Sequence, residues 1–308
     1  MDMEHALQAV EAKMIASVGS DVPVLQDASR HILQAGGKRM RPRLAMLAYE
    51  SVGGRERMEV VPIAAAVELV HTATLVHDDI NDHGVTRRGR PTINSIWGRT
   101  FALLTGDFLF TKVYELMAPY GDLNITFARM TSDLVEGETL QAHAAKTGTL
   151  DRETYARIIA KKTASLFAGA AKMGAILGGG TPAQVDLLEQ YGFNVGLAFQ
   201  ITDDILDLIA DSETLGKTAG IDLAQGRGFA MASLNGTSGT GVAVAEAVQD
   251  DAVTAFKRKL LTGNYIQEGQ ENARQLALIA EMSLSGLPET PARDLLCDLA
   301  RQAVDRTY

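Results

Sequence analysis

VVPIAAAVELVHTATLVHDDINDHG, residues 60–84, is nearly all apolar until it meets Asp78, Asp79 and Asp82, with His77 and His83 on either side. A run this apolar, with helical spacing, predicts a long buried helix over 60–83 that stops at Gly84. The last turn of a helix carries the negative end of its dipole, so each carboxylate there is disfavoured by roughly 0.3–1 kcal/mol. Like-charged neighbours add repulsion. Positive charge is therefore expected against this end of the helix.

The same pattern returns at DDILD, with Asp203, Asp204 and Asp207 at the spacing of Asp78, Asp79 and Asp82. On a helix, positions i and i+4 share a face, so Asp78 pairs with Asp82 and Asp203 with Asp207. Both clusters are expected to follow an apolar helix and precede a helix stop, the second at the DSETLG stretch. Paired carboxylates with only oxygen ligands suit hard cations, and Mg²⁺ bridges one or two of them to substrate phosphates. An acidic helix end can also be simply solvated; two copies on apolar helices argue against that.

Around these clusters the chain reads as helix almost throughout. Amphipathic segments fit 3–18, 22–35 and 42–52, with Pro42 in a first turn. Further helices fit 100–118, 122–146, 151–177, 182–210, 241–262, 266–284 and 289–306. Gly178 to Gly180 stop one helix; Thr181, Pro182 and Gln184 then form a capping box for the next. There is no convincing alternating strand and no repeat, and Leu234 to Ala243 reads as a loop. The expected fold is all-α, a single domain over 1–308 built as an antiparallel helix bundle, in which sites form from side chains on facing helices.

Composition agrees. The 308 residues are 46% hydrophobic and 22% charged, ordinary for a globular chain. A net charge of −9 argues against a nucleic-acid partner. One cysteine, Cys297, favours a reducing compartment. No signal peptide and no membrane-length apolar run is legible, so a cytoplasmic protein with at most peripheral membrane contact is expected.

Cations sit beside the acids. GGKRMRPR supplies Lys38, Arg39, Arg41 and Arg43, and TRRGRPT supplies Arg87, Arg88 and Arg90. KKTASLF supplies Lys161, Lys162 and Thr163, and LGKTAG supplies Lys217. Guanidinium forks grip phosphate oxygens with two bonds and lysine acts as a point charge. Each basic pair alone reads as solvated surface; interleaved with acids they describe a polyphosphate site. Neither GxxxxGK[ST] nor a glycine fingerprint after a strand is present, so nucleotides held in those ways are excluded.

GGKRMRP, ELVHTATLVHDDINDHGVTRRGRPT, GDFLF, EGETLQ, KKTASLF, FQITDDILD and LGKTAGIDL together resemble the trans-isoprenyl diphosphate synthases (polyprenyl synthetases) over nearly the whole chain. The resemblance implies a helix bundle around a deep central cavity, a homodimer, and three Mg²⁺ ions. It implies head-to-tail condensation of isopentenyl diphosphate with an allylic diphosphate. By motif, the metal ligands would be Asp78, Asp82 and Asp203, with Asp79, Asp204 and Asp207 direct or one shell out. Lys38, Arg41, His71 and Arg88 would bind isopentenyl diphosphate; for His71 the alternative is a core histidine. Arg87, Lys162, Lys217 and Arg227 would bind the allylic diphosphate. Thr163 and Gln200 would turn oxygen dipoles toward the cation, completing a catalytic set with Lys162, Asp78 and Asp203. One departure stands out: GIDLAQGRGFAMA carries Arg227 where the family has lysine, and lacks the family's Thr-Leu-Pro, which touches closure of the C-terminal flap.

The small Ala73 and Thr74, one turn before Asp78, replace the aromatic residue that stops growth early in the family. With Val70 and Val67 they would form the chain-length pocket. HTATLVHDD is also more like long-chain members, so a product of about C30 or longer is expected; farnesyl or geranylgeranyl length is the alternative. An HD-type metal phosphohydrolase would use His77-Asp78 but leaves DDILD, GGKRMRP and RRG unexplained. A terpene cyclase normally carries a different second motif, and partner subunits of heteromeric synthases usually lose the acids. The catalytic subunit of a heteromeric synthase is a further alternative.

Overall fold

The computed structural model describes residues 2–213 and 264–305. The expected helix at 241–262, the loop at 234–243, Lys217 and Arg227 lie outside the described residues.

Helices stand where the apolar periodicity puts them: α1 Met3–Ser17, α2 Pro23–Leu33, α3 Met40–Ser51 and α4 Val61–Asn81. After a two-stranded antiparallel ribbon, β1 Thr86–Arg87 and β2 Arg90–Pro91, come α5 Ile93–Trp97, α6 Arg99–Met117 and α7 Leu123–Thr147. Then follow α8 Arg152–Ile159, α9 Ser165–Leu177 and α10 Pro182–Glu213. The last two described helices are α11 Tyr265–Ser283 and α12 Pro291–Val304. Thr181 and Gln184 form the expected capping box. The Thr181 amide donates to Gln184 Oε1 at 2.9 Å, and the Gln184 amide to Thr181 Oγ1 at 3.3 Å.

Three expectations need correction. The ribbon carries Arg87 and Arg90 opposite each other, although no strand was legible; two-residue strands are too short to show alternation. The segment 151–177 is broken by a π-helical turn, Ala160–Ala164, between α8 and α9. And α10 ends at Glu213, within the expected DSETLG stop but beyond the expected end at 210, so Asp203, Asp204 and Asp207 all fall short of its last turn. The dipole penalty thus applies to the first cluster, where Asp82 caps α4, and not to the second.

Contacts group into two compact units. The first comprises the described residues of Met1–Ala128, Gly169–Asp186 and Leu287–Arg293. Its centre is α4, packed by α1, α3 and, most extensively, α6. Ile63, Ala64, Val67, Leu69, Val70 and Ala73 of α4 have no exposed surface, and each large side chain so buried contributes about 1.5–3 kcal/mol. Gly174 of α9 lets that helix lie directly on α3: a Cβ there would stand 2.1 Å from the Ala45 carbonyl oxygen.

The second unit comprises the described residues of Arg129–Ala168, Leu187–Gly286 and Asp294–Tyr308. A cluster of Leu150, Tyr155, Ile158, Ile159, Ile201 and Ile205 forms part of its core. Two glycines press neighbouring helices onto the π turn. A Cβ on Gly137 of α7 would lie 2.4 Å from the Lys162 backbone nitrogen, and one on Gly196 of α10 would lie 2.7 Å from Ala164 Cα.

Backbone cannot yield as a flexible side chain does. We therefore predict that Gly174→Ala costs about 1–3 kcal/mol by overpacking, read as a lower urea midpoint with an unchanged slope.

Candidate functional site

In the first unit the site begins with buried charge. Arg39, at the N-cap of α3, adopts a left-handed backbone with φ 48°. Its side chain turns inward. Nε donates to Glu11 of α1 at 3.0 Å, and Nη1 donates to Glu68 of α4 at 2.8 Å. Arg39 and Glu68 are 6% and 3% exposed, so this is a buried ion pair. Arg39 therefore anchors the GGKR segment, and its neighbours meet solvent or site. Lys38 is exposed and makes no hydrogen bond or ion pair among the described residues, while Arg41 is buried.

Arg88 comes to the same segment from the ribbon, donating to the Gly36 carbonyl oxygen. A Cβ at Gly37 would lie 2.8 Å from Arg88 Nη1, so the guanidinium occupies the space a side chain there would need. His71 is partly buried on α4. Its pKa is held well below the ordinary histidine value, first by burial and then by the charges of Arg41, Arg88, Arg87 and Arg39. A neutral imidazole under the influence of these guanidinium charges suits an anion, because the ring adds no charge of its own but can still donate one hydrogen bond.

The aspartates divide by role. Asp79 is buried and accepts from Arg87 Nε at 2.8 Å. Burial raises its pKa, with Asp78 and Asp82 pushing the same way and Arg87 opposing. The Asp79 carbonyl also accepts from the Gly84 amide at 2.9 Å. Asp79 thus fixes the ribbon to the end of α4, and Asp78 and Asp82 share a partly exposed face. His77 points elsewhere. Its Nε2 lies 3.3 Å from the Leu103 carbonyl of α6 and 3.5 Å from Asp107. A Cβ on Gly106, in GDFLF, would strike its ring. His77 therefore belongs to the α4–α6 packing, and the HD reading loses its histidine.

Among the described residues, the non-glycine positions with positive φ are Arg39, His83 and Arg88. Each costs about 1–3 kcal/mol, and such strain concentrates where binding groups are held. All three flank this cluster.

In the second unit the π turn presents Lys162 and Thr163. Lys162 Nζ donates to Glu138 Oε2 at 3.0 Å and Gln141 Oε1 at 2.8 Å, both on α7. Lys161 instead pairs with Asp133 and Glu136, toward solvent. Thr163, buried, donates to Gln200 Oε1 at 2.7 Å. Gln200 Nε2 donates to Asp204 Oδ1 at 2.7 Å, and Tyr155 donates to Asp204 Oδ2 at 2.7 Å. Asp203 is exposed and Asp207 partly so. Nothing in the sequence marks Glu68 or Tyr155 as supports, and EGETLQ alone points to Glu138 and Gln141.

Of the chain-length residues, Val67, Val70 and Ala73 have no exposed surface, and Thr74, donating to the His71 carbonyl at 2.8 Å, keeps 9%. They stand in a packed helix face. No group of three or more His, Cys, Asp or Glu among the described residues converges to hold a metal alone. Carboxylate pairs that need further oxygens fit Mg²⁺ completed by phosphate, which keeps water and substrate oxygens in its shell.

A family description, Polyprenyl synthetase, matches residues 22–235. The chain belongs to the polyprenyl synthetase family. Similar members include the octaprenyl diphosphate synthase of Escherichia coli, 35% identical over 97% of this chain and 95% of that one. A short chain isoprenyl diphosphate synthase of Methanothermobacter thermautotrophicus is 40% identical over 74% of this chain and 72% of that one. A polyprenyl synthase of Caulobacter crescentus, solved with calcium and isoprenyl diphosphate, superposes with a TM-score of 0.89. It is 33% identical and covers 98% of this chain and 95% of that one. The all-α class expected from the sequence is that of these synthetases.

Two predictions follow from the buried charges. Glu68→Gln leaves Arg39 underpaired in the core and should cost about 3 kcal/mol, measured by urea unfolding. His71 is the second case. Unfolded histidine titrates near 6.5 and the folded one lower, so the unfolded chain binds more protons as pH falls through about 6.5. Stability is full above that pH and declines toward about pH 5. In His71→Gln the decline should be shallower in urea melts at the two pH values.

Proposed function

We propose that this prenyltransferase condenses isopentenyl diphosphate with an allylic diphosphate, head to tail, to make a long-chain trans-polyprenyl diphosphate. The observation that carries the reading is arginine charge gathered around a neutral His71, beside carboxylates at the end of the same helix. Anion-binding and cation-binding groups side by side suit a metal-bound diphosphate.

Isopentenyl diphosphate would be held by Lys38, Arg41, His71 and Arg88, and the allylic diphosphate by Arg87, Lys162, Lys217 and Arg227. Asp78, Asp82, Asp203 and Asp207 would carry Mg²⁺, three ions with substrate bound; Asp79 and Asp204 would support them. The calcium and isoprenyl diphosphate of the Caulobacter structure favour this pairing of cation and ligand. When bound, Mg²⁺ supplies Lewis-acid stabilisation of the leaving diphosphate.

The allylic C–O bond breaks and its electron pair leaves with the diphosphate. Thr163 and Gln200 direct oxygen dipoles at the cation, and fixed dipoles need little reorganisation. The double bond of isopentenyl diphosphate attacks, forming the new C–C bond. A proton then passes to the departed diphosphate. The long-chain reading rests on small Ala73 and Thr74 and on long-chain relatives. A shorter product is the second reading, favoured by the close packing of Ala73 and by the short-chain relative. No described helix is long and apolar enough to cross a membrane. We place the whole chain as one all-α catalytic domain in a cytoplasmic homodimer with peripheral membrane contact at most.

Incubation with Mg²⁺, isopentenyl diphosphate and an allylic primer should give elongated products, sized after dephosphorylation. Primer hydrolysis without elongation would overturn the reading, and elongation only with a second protein would point to a heteromer. Ala73→Tyr, and separately Thr74→Phe, should shorten the product. An unchanged distribution from folded variants would leave these residues as packing only.

A further inference from the structure

We propose that Tyr155 is a positioning residue: it holds Asp204 so that Asp204 orients Gln200 and Thr163 rather than taking a cation. This deepens the prenyltransferase reading and rests on it.

The hydrogen-bond directions follow from what each group can do. A carboxylate only accepts, so both oxygens of Asp204 are occupied by donors, Tyr155 O–H at 2.7 Å and Gln200 Nε2–H at 2.7 Å. The amide nitrogen of Gln200 is thereby committed, which settles which way the amide faces. Its oxygen meets Thr163, whose hydroxyl must donate, at 2.7 Å. Every proton in the chain points toward Asp204, so the lone pairs of Thr163 Oγ1 point away from its own hydrogen bond.

Reverse the amide and the sign reverses. Gln200 would then donate to Thr163, and the threonine proton would rotate outward. A site that turns a positive hydrogen toward a forming carbocation opposes the reaction; one that turns lone pairs toward it helps. Asp204 selects between these states, and Tyr155 keeps Asp204 in place. The Tyr155 ring is fixed for that task, buried with Ile158, Ile159, Ile201 and Ile205. Thr163 is fixed by the π turn, with Gly196 of α10 pressed against it at Ala164. Asp203 and Asp207, one turn apart, share a face of α10 that Asp204 does not.

The test uses the full chain and two readouts. In steady-state kinetics Tyr155→Phe should lower kcat at least tenfold. In a Thr163→Ala background the same substitution should change kcat less than twofold, because interacting residues are non-additive. An equal loss in both backgrounds would overturn a role through Thr163, since general damage to the fold adds independently. Wild-type kcat in Tyr155→Phe would overturn the proposal outright. Second, Mn²⁺ bound in the presence of inorganic diphosphate is counted by electron paramagnetic resonance. Asp204→Asn should bind as many ions as wild type and Asp203→Asn fewer. Loss of an ion in Asp204→Asn would make Asp204 a ligand and sink the idea, even if Tyr155→Phe fails to fold. If the wild-type chain binds Mn²⁺ with diphosphate yet does not elongate, the functional reading fails separately.

Discussion

A carboxylate taken out of water must be given donors, because an unpaired buried charge costs several kcal/mol. Buried Glu68 and Asp79 and the partly buried Asp204 all take donors from other side chains. Glu68 takes Arg39 from the glycine turn, Asp79 takes Arg87 from the ribbon, and Asp204 takes Tyr155 and Gln200. Each pairing satisfies a charge and fixes a loop or side chain at once. Within each unit the neighbouring groups follow these pairings: Lys38 and Arg41 lie beside Arg39 and Arg88 follows Arg87 in the first, and Thr163 answers to Gln200 in the second.

The second control is helix approach. Gly106, Gly137, Gly174 and Gly196 stand where a single added carbon would strike a neighbouring backbone or ring. At Gly137 and Gly196 the neighbour is the π turn, so the segment bearing Lys162 and Thr163 is clamped from α7 and α10. A π turn opens the ordinary helical bonding for a few residues, and close packing on both sides holds that irregular backbone in one form.

Motif chemistry marked the right segments and blurred the roles within them. Arg39 and Arg41 look alike in GGKRMRPR, yet Arg39 turns inward to a glutamate twenty-nine positions along. His77 sits beside Asp78 in sequence but packs on α6. The two DDxxD clusters look equivalent; one caps a helix and the other lies within one. In both, the middle aspartate accepts from a side chain of another segment, Arg87 or Tyr155, and it sits off the face its two neighbours share.

By itself the sequence determined the helices, their caps, the acidic and basic segments and the family, because periodicity, capping and motif chemistry are local and repeat along the chain. Only the tertiary structure decided which carboxylates are anchors, which arginine is core, and which way the Gln200 amide faces. Those outcomes depend on donors brought from distant segments and on burial, and neither is encoded at the position itself.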